Sequence, residues 1–321
     1  TTDDTGYTTT KPVSWDYRFS NLCNFKCRTC GDMLSSAWES EQRQHDMINW
    51  HDPKNNWMKP DVREQISEFQ SSQIEIEFSD AVEAHQIEEV YWVGGEPLMY
   101  DQHWRYMKRI VDLGDGKNVY ARYNTNLSRV NYRGVNLYSD ILSRLRDWQI
   151  CASIDGTGPI GEYIRTGLNY QTWLENFKEG LKGATHRRQM RIDFTLTLPG
   201  MFEVENIEKL SKELDVDVLA KVVFGFTPDI ILSPLALPKE LLHPWIDELL
   251  PSTSGAMSDI LTQLKNRPTF QEQWPNEWQE SLAKGKRRVL QLESIRKDTF
   301  TMRDILSTSP EILTWWESIG S

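Results

Sequence analysis

The chain has little that would tie it to a membrane, to nucleic acid or to an oxidising compartment. No apolar run reaches the ~18 residues that suggest a membrane span. No basic, apolar leader opens the sequence, which begins at Thr1 and not Met, as after processing or trimming. Positive charge is in deficit: 36 Lys and Arg stand against 47 Asp and Glu, a net charge of −11. Phosphate backbones are bound through Lys and Arg, so nucleic acid is not expected as a main partner. The balance suits a basic or neutral substrate, or solubility alone. Low-complexity tracts are missing, and so are repeats beyond a strand–helix rhythm. Cysteine is scarce: there are four, so a disulfide framework is not expected and a reducing cytoplasm is.

Three of those four cysteines fall within eight residues, Cys23-Asn-Phe-Lys-Cys27-Arg-Thr-Cys30. Structural zinc wants four ligands, usually as two pairs, and the nearest histidine, His45, lies outside a compact knuckle. A disulfide inside C-x3-C or C-x2-C would close a very short loop. Three thiolates this close suit three corners of a cubane iron–sulfur cluster. The fourth iron then keeps an open position where a small molecule can bind. Cys151 stands apart in an apolar strand and reads as a small buried residue, with a radical-quenching thiol as the alternative.

Strand and helix alternate from residue 14 to 224. Strands are expected at 14–19, 88–93, 118–124, 149–154, 190–198 and 217–224. Helices are expected at 36–50, 61–70, before 86, and at 101–113, 138–147, 171–183 and 204–214. Six βα units in series imply a parallel sheet with right-handed crossovers. Polar residues at strand C-terminal ends favour closure into a barrel or partial barrel. After Pro228 only helices are expected, at 239–250, 256–265, 276–291 and 309–319. The reading is therefore a flexible arm over 1–13, an α/β barrel domain over 14–228 and a helical C-terminal extension over 229–321. Most of the thirteen tryptophans read as core, a few as a wall for an aromatic substrate.

The motifs resemble the radical S-adenosylmethionine (radical SAM) superfamily. The cysteine loop follows the first expected strand. Gly94-Gly95-Glu96-Pro97 follows the second, Asn124-Thr-Asn126 ends the third and Ser153-Ile-Asp155-Gly ends the fourth. The set, over about residues 14–226, resembles the SPASM/twitch branch, which is rich in peptide-modifying enzymes. Two departures stand out. Thr29 replaces the usual aromatic before the third cysteine. No cysteines remain for the auxiliary clusters of that branch, so either the protein does without them or its natural form has a further segment.

The resemblance implies a (β/α)6 partial TIM barrel and an enzyme. One [4Fe-4S] cluster on Cys23, Cys27 and Cys30 would cleave SAM reductively. The resulting 5′-deoxyadenosyl radical would abstract hydrogen, from a peptide or protein side chain in the favoured reading. The alternatives are a small molecule such as a sugar or nucleotide, or a non-catalytic iron–sulfur electron carrier. Flavodoxin or ferredoxin would supply the electron. Gly94 and Gly95 would let backbone approach SAM, Glu96 and the loop carbonyls would accept from its ammonium, and Pro97 would stiffen the turn. Ser153 would meet the ribose, Asn124 the ribose or the carboxylate, and Arg165 would hold the carboxylate as a fork. Asp155 shares Ser153's face and can instead tie down the Gly156 turn. Thr195 and Val223 would line the adenine pocket.

Overall fold

The computed structural model describes residues 3–6, 8–224 and 230–320. The expected domain boundary at 228/229 lies outside the described residues. In chain order the strands are β1 (Ser14–Tyr17), β2 (Glu89–Trp92), β3 (Tyr120–Thr125), a hairpin of β4 (Asn131–Tyr132) and β5 (Val135–Asn136), β6 (Asp147–Ile154), β7 (Met190–Leu196) and β8 (Asp217–Val222). Six of them form one sheet in the order β1-β2-β3-β6-β7-β8. Each described pairing within it is parallel. Chain-order parallel strands are what a six-unit partial barrel requires.

The chain divides into two compact units. The first is Thr1–Lys26, Cys30–Ala152 and Glu175–Met190. The second is Cys27–Thr29, Ser153–Leu174 and Arg191–Ser321.

In the first unit, β1, β2 and β3 run in register, Trp15 beside Val90 and Val90 beside Ala121. Helix α1 (Ser36–Gln44) starts on a Ser35 cap that accepts from Trp38 N–H. It was expected to reach residue 50 but stops six residues earlier. Asp46 is left-handed at φ 52°, and Met47 N–H bonds back to Gln42 C=O at 2.9 Å. This is a Schellman stop, with the short Asp side chain at the strained position. Helices α2 (Pro60–Phe69) and α3 (Glu75–Glu83) join through one wide turn over Gln70–Ile74. On α4 (Asp101–Asp112) the buried residues His103, Trp104, Tyr106, Met107 and Ile110 follow helical periodicity. His103 sits edge-on to Trp92 and Trp104, each 4.9 Å away, and bonds Tyr123 Oη at 3.1 Å.

The helix expected at 138–147 is a second difference. Leu137–Ile141 is a single wide turn, Leu142–Arg144 a 3-10 turn, and Asp147 already opens β6. Tyr138 and Ile141 still bury their side chains, so the apolar positions were read correctly and the element was not.

The second unit begins with α5 (Gly158–Ile164), which the sequence reading missed. It continues through α6 (Tyr170–Gly183), whose later part belongs to the first unit, then β7, α7 (Val204–Leu214) and β8. The remaining helices are α8 (Lys239–Leu249), α9 (Gly255–Lys265), α10 (Phe270–Gln273), α11 (Trp278–Arg296), α12 (Met302–Leu306) and α13 (Pro310–Ser318). Helix α9 packs on β8. Met257, Ile260, Leu261 and Leu264 bury one face of it. No strand is assigned among the described residues after 230, as expected for a helical extension.

Candidate functional site

The cysteine loop leaves β1 through Arg18–Leu22. In the first unit, Tyr100 Oη donates to Ser20 C=O at 2.6 Å and accepts from Gly95 N–H at 2.9 Å. Burial pushes Tyr100 up to about 12, so it works as a neutral hydroxyl. Glu96 N–H donates to Leu22 C=O at 2.8 Å. A Cβ on Gly95 would lie 2.4 Å from that same carbonyl oxygen, and one on Gly94, at φ +127°, 2.6 Å from Tyr100 Oη. The glycines were expected to clear room for a ligand. They clear room first for the cysteine loop and its tyrosine brace.

Glu96, expected to accept from the SAM ammonium, is likewise engaged by the fold. It is 1% exposed. Its Oε1 accepts from Thr125 Oγ1 at 2.6 Å and Leu98 N–H at 3.0 Å, and its Oε2 from Asn126 N–H at 2.6 Å. The carboxylate fastens the turn after β2 to the end of β3. Pro97, buried beside it, starts the 3-10 turn Pro97–Met99.

Asn126 is a residue the sequence reading passed over in favour of Asn124. Its Nδ2 donates to Asn24 Oδ1 at 3.0 Å and reaches Cys23 Sγ at 3.9 Å. Phe25 N–H also points at Cys23 Sγ, at 3.4 Å. The available signal was the second Asn of Asn-Thr-Asn, one step past the strand. Asn124 itself is half-buried, in register with Cys151. Cys151 is buried, with its sulfur toward Gln149 Oε1 at 3.9 Å.

In the second unit, Cys27 is buried and Arg165 Nη1 donates toward its sulfur at 3.9 Å. Arg165 Nη2 donates to Asp155 Oδ1 at 2.9 Å. Burial disfavours the guanidinium charge, but Asp155 and then Cys27 outweigh it and hold Arg165 above its ordinary value. Asp155, expected among the cofactor contacts with the Gly156 turn as its alternative duty, is fully buried. Its Oδ1 instead takes Arg165 and, at 3.3 Å, Thr195 N–H. Asp155 Oδ2 and Arg165 Nε are buried with no hydrogen-bond partner among the described residues. Turn duty falls to Glu203, which accepts Thr157 N–H at 2.6 Å.

Ser153 Oγ donates to Asp193 Oδ2 at 3.2 Å, and Lys221 Nζ donates to both Asp193 oxygens at 2.6 and 2.8 Å. Neither Asp193 nor Lys221 was anticipated. Asp193 shares strand parity with Thr195, so the argument that paired Ser153 with Asp155 would have found it. Val223 is buried and extends the β7–β8 pairing through its N–H to Leu196 C=O at 3.1 Å.

Among the described residues no three Cys, His, Asp or Glu side chains are drawn together as a metal-holding group. None of the four cysteines, all described, is in a disulfide. The fit to a cluster therefore rests on donor chemistry. Three soft thiol ligands share one loop, and N–H groups are aimed at the sulfurs of Cys23 and Cys27, the outer-shell support that thiolate ligands need. The fit to a polar cofactor rests on the orphaned Asp155 Oδ2 and Arg165 Nε, since buried polar atoms without partners are uncommon in a finished fold.

No family model matches the chain, and no curated protein does. Solved structures are similar to it, among them the following three. SuiB of Streptococcus suis bound to S-adenosylmethionine is 14% identical, with 79% of this chain and 45% of that one covered and a TM-score of 0.43. SuiB bound to precursor peptide SuiA is 13% identical, with 79% and 51% covered and a TM-score of 0.43. TYW1 with a lysine–pyruvate adduct bound is 16% identical, with 72% and 68% covered and a TM-score of 0.36. The chain thus spans about half of the SuiB chains it matches.

Proposed function

We propose that the protein is a radical SAM enzyme that binds one [4Fe-4S] cluster on Cys23, Cys27 and Cys30. The observation that carries this is positional. The cysteine loop, Gly94–Pro97, Asn124–Asn126 and Ser153–Asp155 each fall at or just past the C-terminal end of successive strands β1, β2, β3 and β6 of one parallel sheet. Barrel sites are built at that end of the strands. When bound, cluster and SAM supply one-electron cleavage of the sulfonium bond and abstraction of a substrate hydrogen.

The chain's own groups position and insulate. Asn126, Phe25 N–H and Arg165 donate to the ligand sulfurs. Asp155 and Arg165 offer SAM a buried acceptor and a buried donor. The further candidate contacts are Ser153, Thr195 and Val223 in the second unit and, in the first, Asn124 and the backbone carbonyls of Gly94 and Gly95. A peptide or protein side chain is the substrate we favour, following the resemblance to the peptide-modifying branch. The clustered thiols suit a reducing, cytoplasmic compartment, with flavodoxin or ferredoxin as electron donor.

Anaerobic reconstitution is expected to load about four irons per chain. With dithionite and SAM the protein is expected to release 5′-deoxyadenosine. Replacing Cys23, Cys27 and Cys30 together by Ala is expected to abolish both. Product release undiminished in the triple variant would sink the proposal.

A further inference from the structure

We propose that the helical C-terminal region holds the cysteine loop in place through Arg28, making Arg28 and Asp298 positioning residues for the group on Cys27. This rests on the reading above that the loop binds an iron–sulfur cluster. The segment Cys27–Thr29 groups with the second unit, while both its neighbours in sequence group with the first. Arg28 is what grips it. Its side chain is fully buried. Nη1 donates to Tyr163 C=O and to Thr166 Oγ1, each at 2.7 Å, and Nη2 donates to the Asp298 carboxylate. The guanidinium lies 3.8 Å over the Tyr163 ring. The backbone N–H of Arg28 donates to Ile164 C=O at 2.7 Å.

The far end of this contact is also fixed. Helix α11 stops on Lys297, left-handed at φ 54°, and Asp298 N–H bonds back to Glu293 C=O at 3.0 Å. That Schellman turn sets where Asp298 points. Glu293 Oε1 accepts from Tyr163 Oη and from Met302 N–H, both at 2.7 Å. One carboxylate therefore ties α5, α11 and α12 together beneath the tyrosine on which Arg28 lies. Only arginine can fork to three acceptors and stack on a ring at once; lysine has a single nitrogen and no plane. Cys27 is bonded directly to Arg28, so any slack in this grip is passed to a ligand sulfur. Outer-shell residues of metal sites act in this way, by fixing the orientation of the ligand.

The test uses the full chain, reconstituted anaerobically, in wild-type form and as Asp298→Asn, Arg28→Gln and Arg28→Lys. Iron loss to a ferrous chelator, the reduction midpoint and the reduced-state electron paramagnetic resonance signal are measured, without SAM turnover. The variants are expected to load iron but to lose it about tenfold faster, with a shifted midpoint and signal. Asp298→Asn keeps the size of the side chain and one acceptor oxygen while removing the charge, which guards against a variant that simply fails to fold. Unchanged chelation, midpoint and signal in variants whose melting temperature falls would overturn the proposal and leave Arg28 a clamp of the fold. Full rescue by Arg28→Lys would overturn it too. A wild-type protein that takes up no cluster at all would remove the functional reading itself, and this inference with it.

Discussion

Glu96 and Asp155 are both carboxylates sealed from solvent just past the ends of parallel strands, one in each unit, and they are used differently. Glu96 accepts three hydrogen bonds from its own fold, with both oxygens engaged. Asp155 engages one oxygen, with Arg165 and Thr195, and leaves the other buried without a partner among the described residues. A buried acceptor left unpaired costs about 1–3 kcal/mol, so the second arrangement is stable only if something else repays it. The contrast teaches that two motif carboxylates in equivalent places can differ in how fully their own fold satisfies them.

The largest effect that would break this comparison comes from Glu96→Ala. It strands three donors, and a loss of about 3–5 kcal/mol is expected in denaturant unfolding. Asp155→Asn leaves the buried Arg165 charge without its carboxylate, so it is expected to cost about 3 kcal/mol of stability as well, and beyond that to weaken SAM binding by tenfold or more, read by calorimetry on the loaded protein. If the two outcomes were exchanged, with Glu96→Ala fully stable and SAM-deficient, the assignment of strut and ligand group would be reversed.

A somewhat smaller effect distinguishes the first unit through pH. Burial pushes His103 down to about 3. The unfolded chain protonates this side chain below its ordinary value near 6.5, while the folded chain does so only near 3. Between the two the unfolded state holds the extra proton, so stability falls as pH falls. From pH 6.5 to 4 the share due to His103 is about 3 kcal/mol. Urea midpoints of His103→Phe are expected to fall less steeply over that window than those of wild type. Parallel slopes would show that His103 does not titrate as placed.

The smallest effects sharpen the ligand side. Ser153→Ala and Asn124→Ala are each expected to weaken SAM by about 1–2 kcal/mol while iron content stays level. Ser153 already donates to Asp193. A larger loss at Ser153 than at Asn124 would mean that the Ser153–Asp193–Lys221 chain orders the Ser153 hydroxyl for SAM. No change at either position would strike both from the site.

Legibility followed range along the chain. Helix α7 was expected at 204–214 and occupies Val204–Leu214, because its apolar positions Val204, Ile207 and Leu210 carry the helical period by themselves. The element at 137–144 was misread, because Tyr138 and Ile141 are buried in a way that a helix or a wide turn followed by a 3-10 turn satisfies equally. α1 was overextended, since nothing in the composition of residues 45–50 announces a left-handed Asp46.

The sequence by itself determined that three thiols share one loop and where the motif stations fall along the chain. Thiol spacing is a covalent property of eight residues, and strand order follows from the alternation of periods along the chain. Tertiary structure alone decided what each polar group is for. Arg28 reads as one more charged residue until the fold brings it to Asp298, 270 residues away. Glu96 reads as a cofactor contact until burial engages both its oxygens within the fold, and Asp155 reads equally as a cofactor contact or a turn residue until Arg165 arrives. The reason is that hydrogen bonding and desolvation depend on which partners share a buried volume, and for these groups the deciding partners lie on other strands and helices.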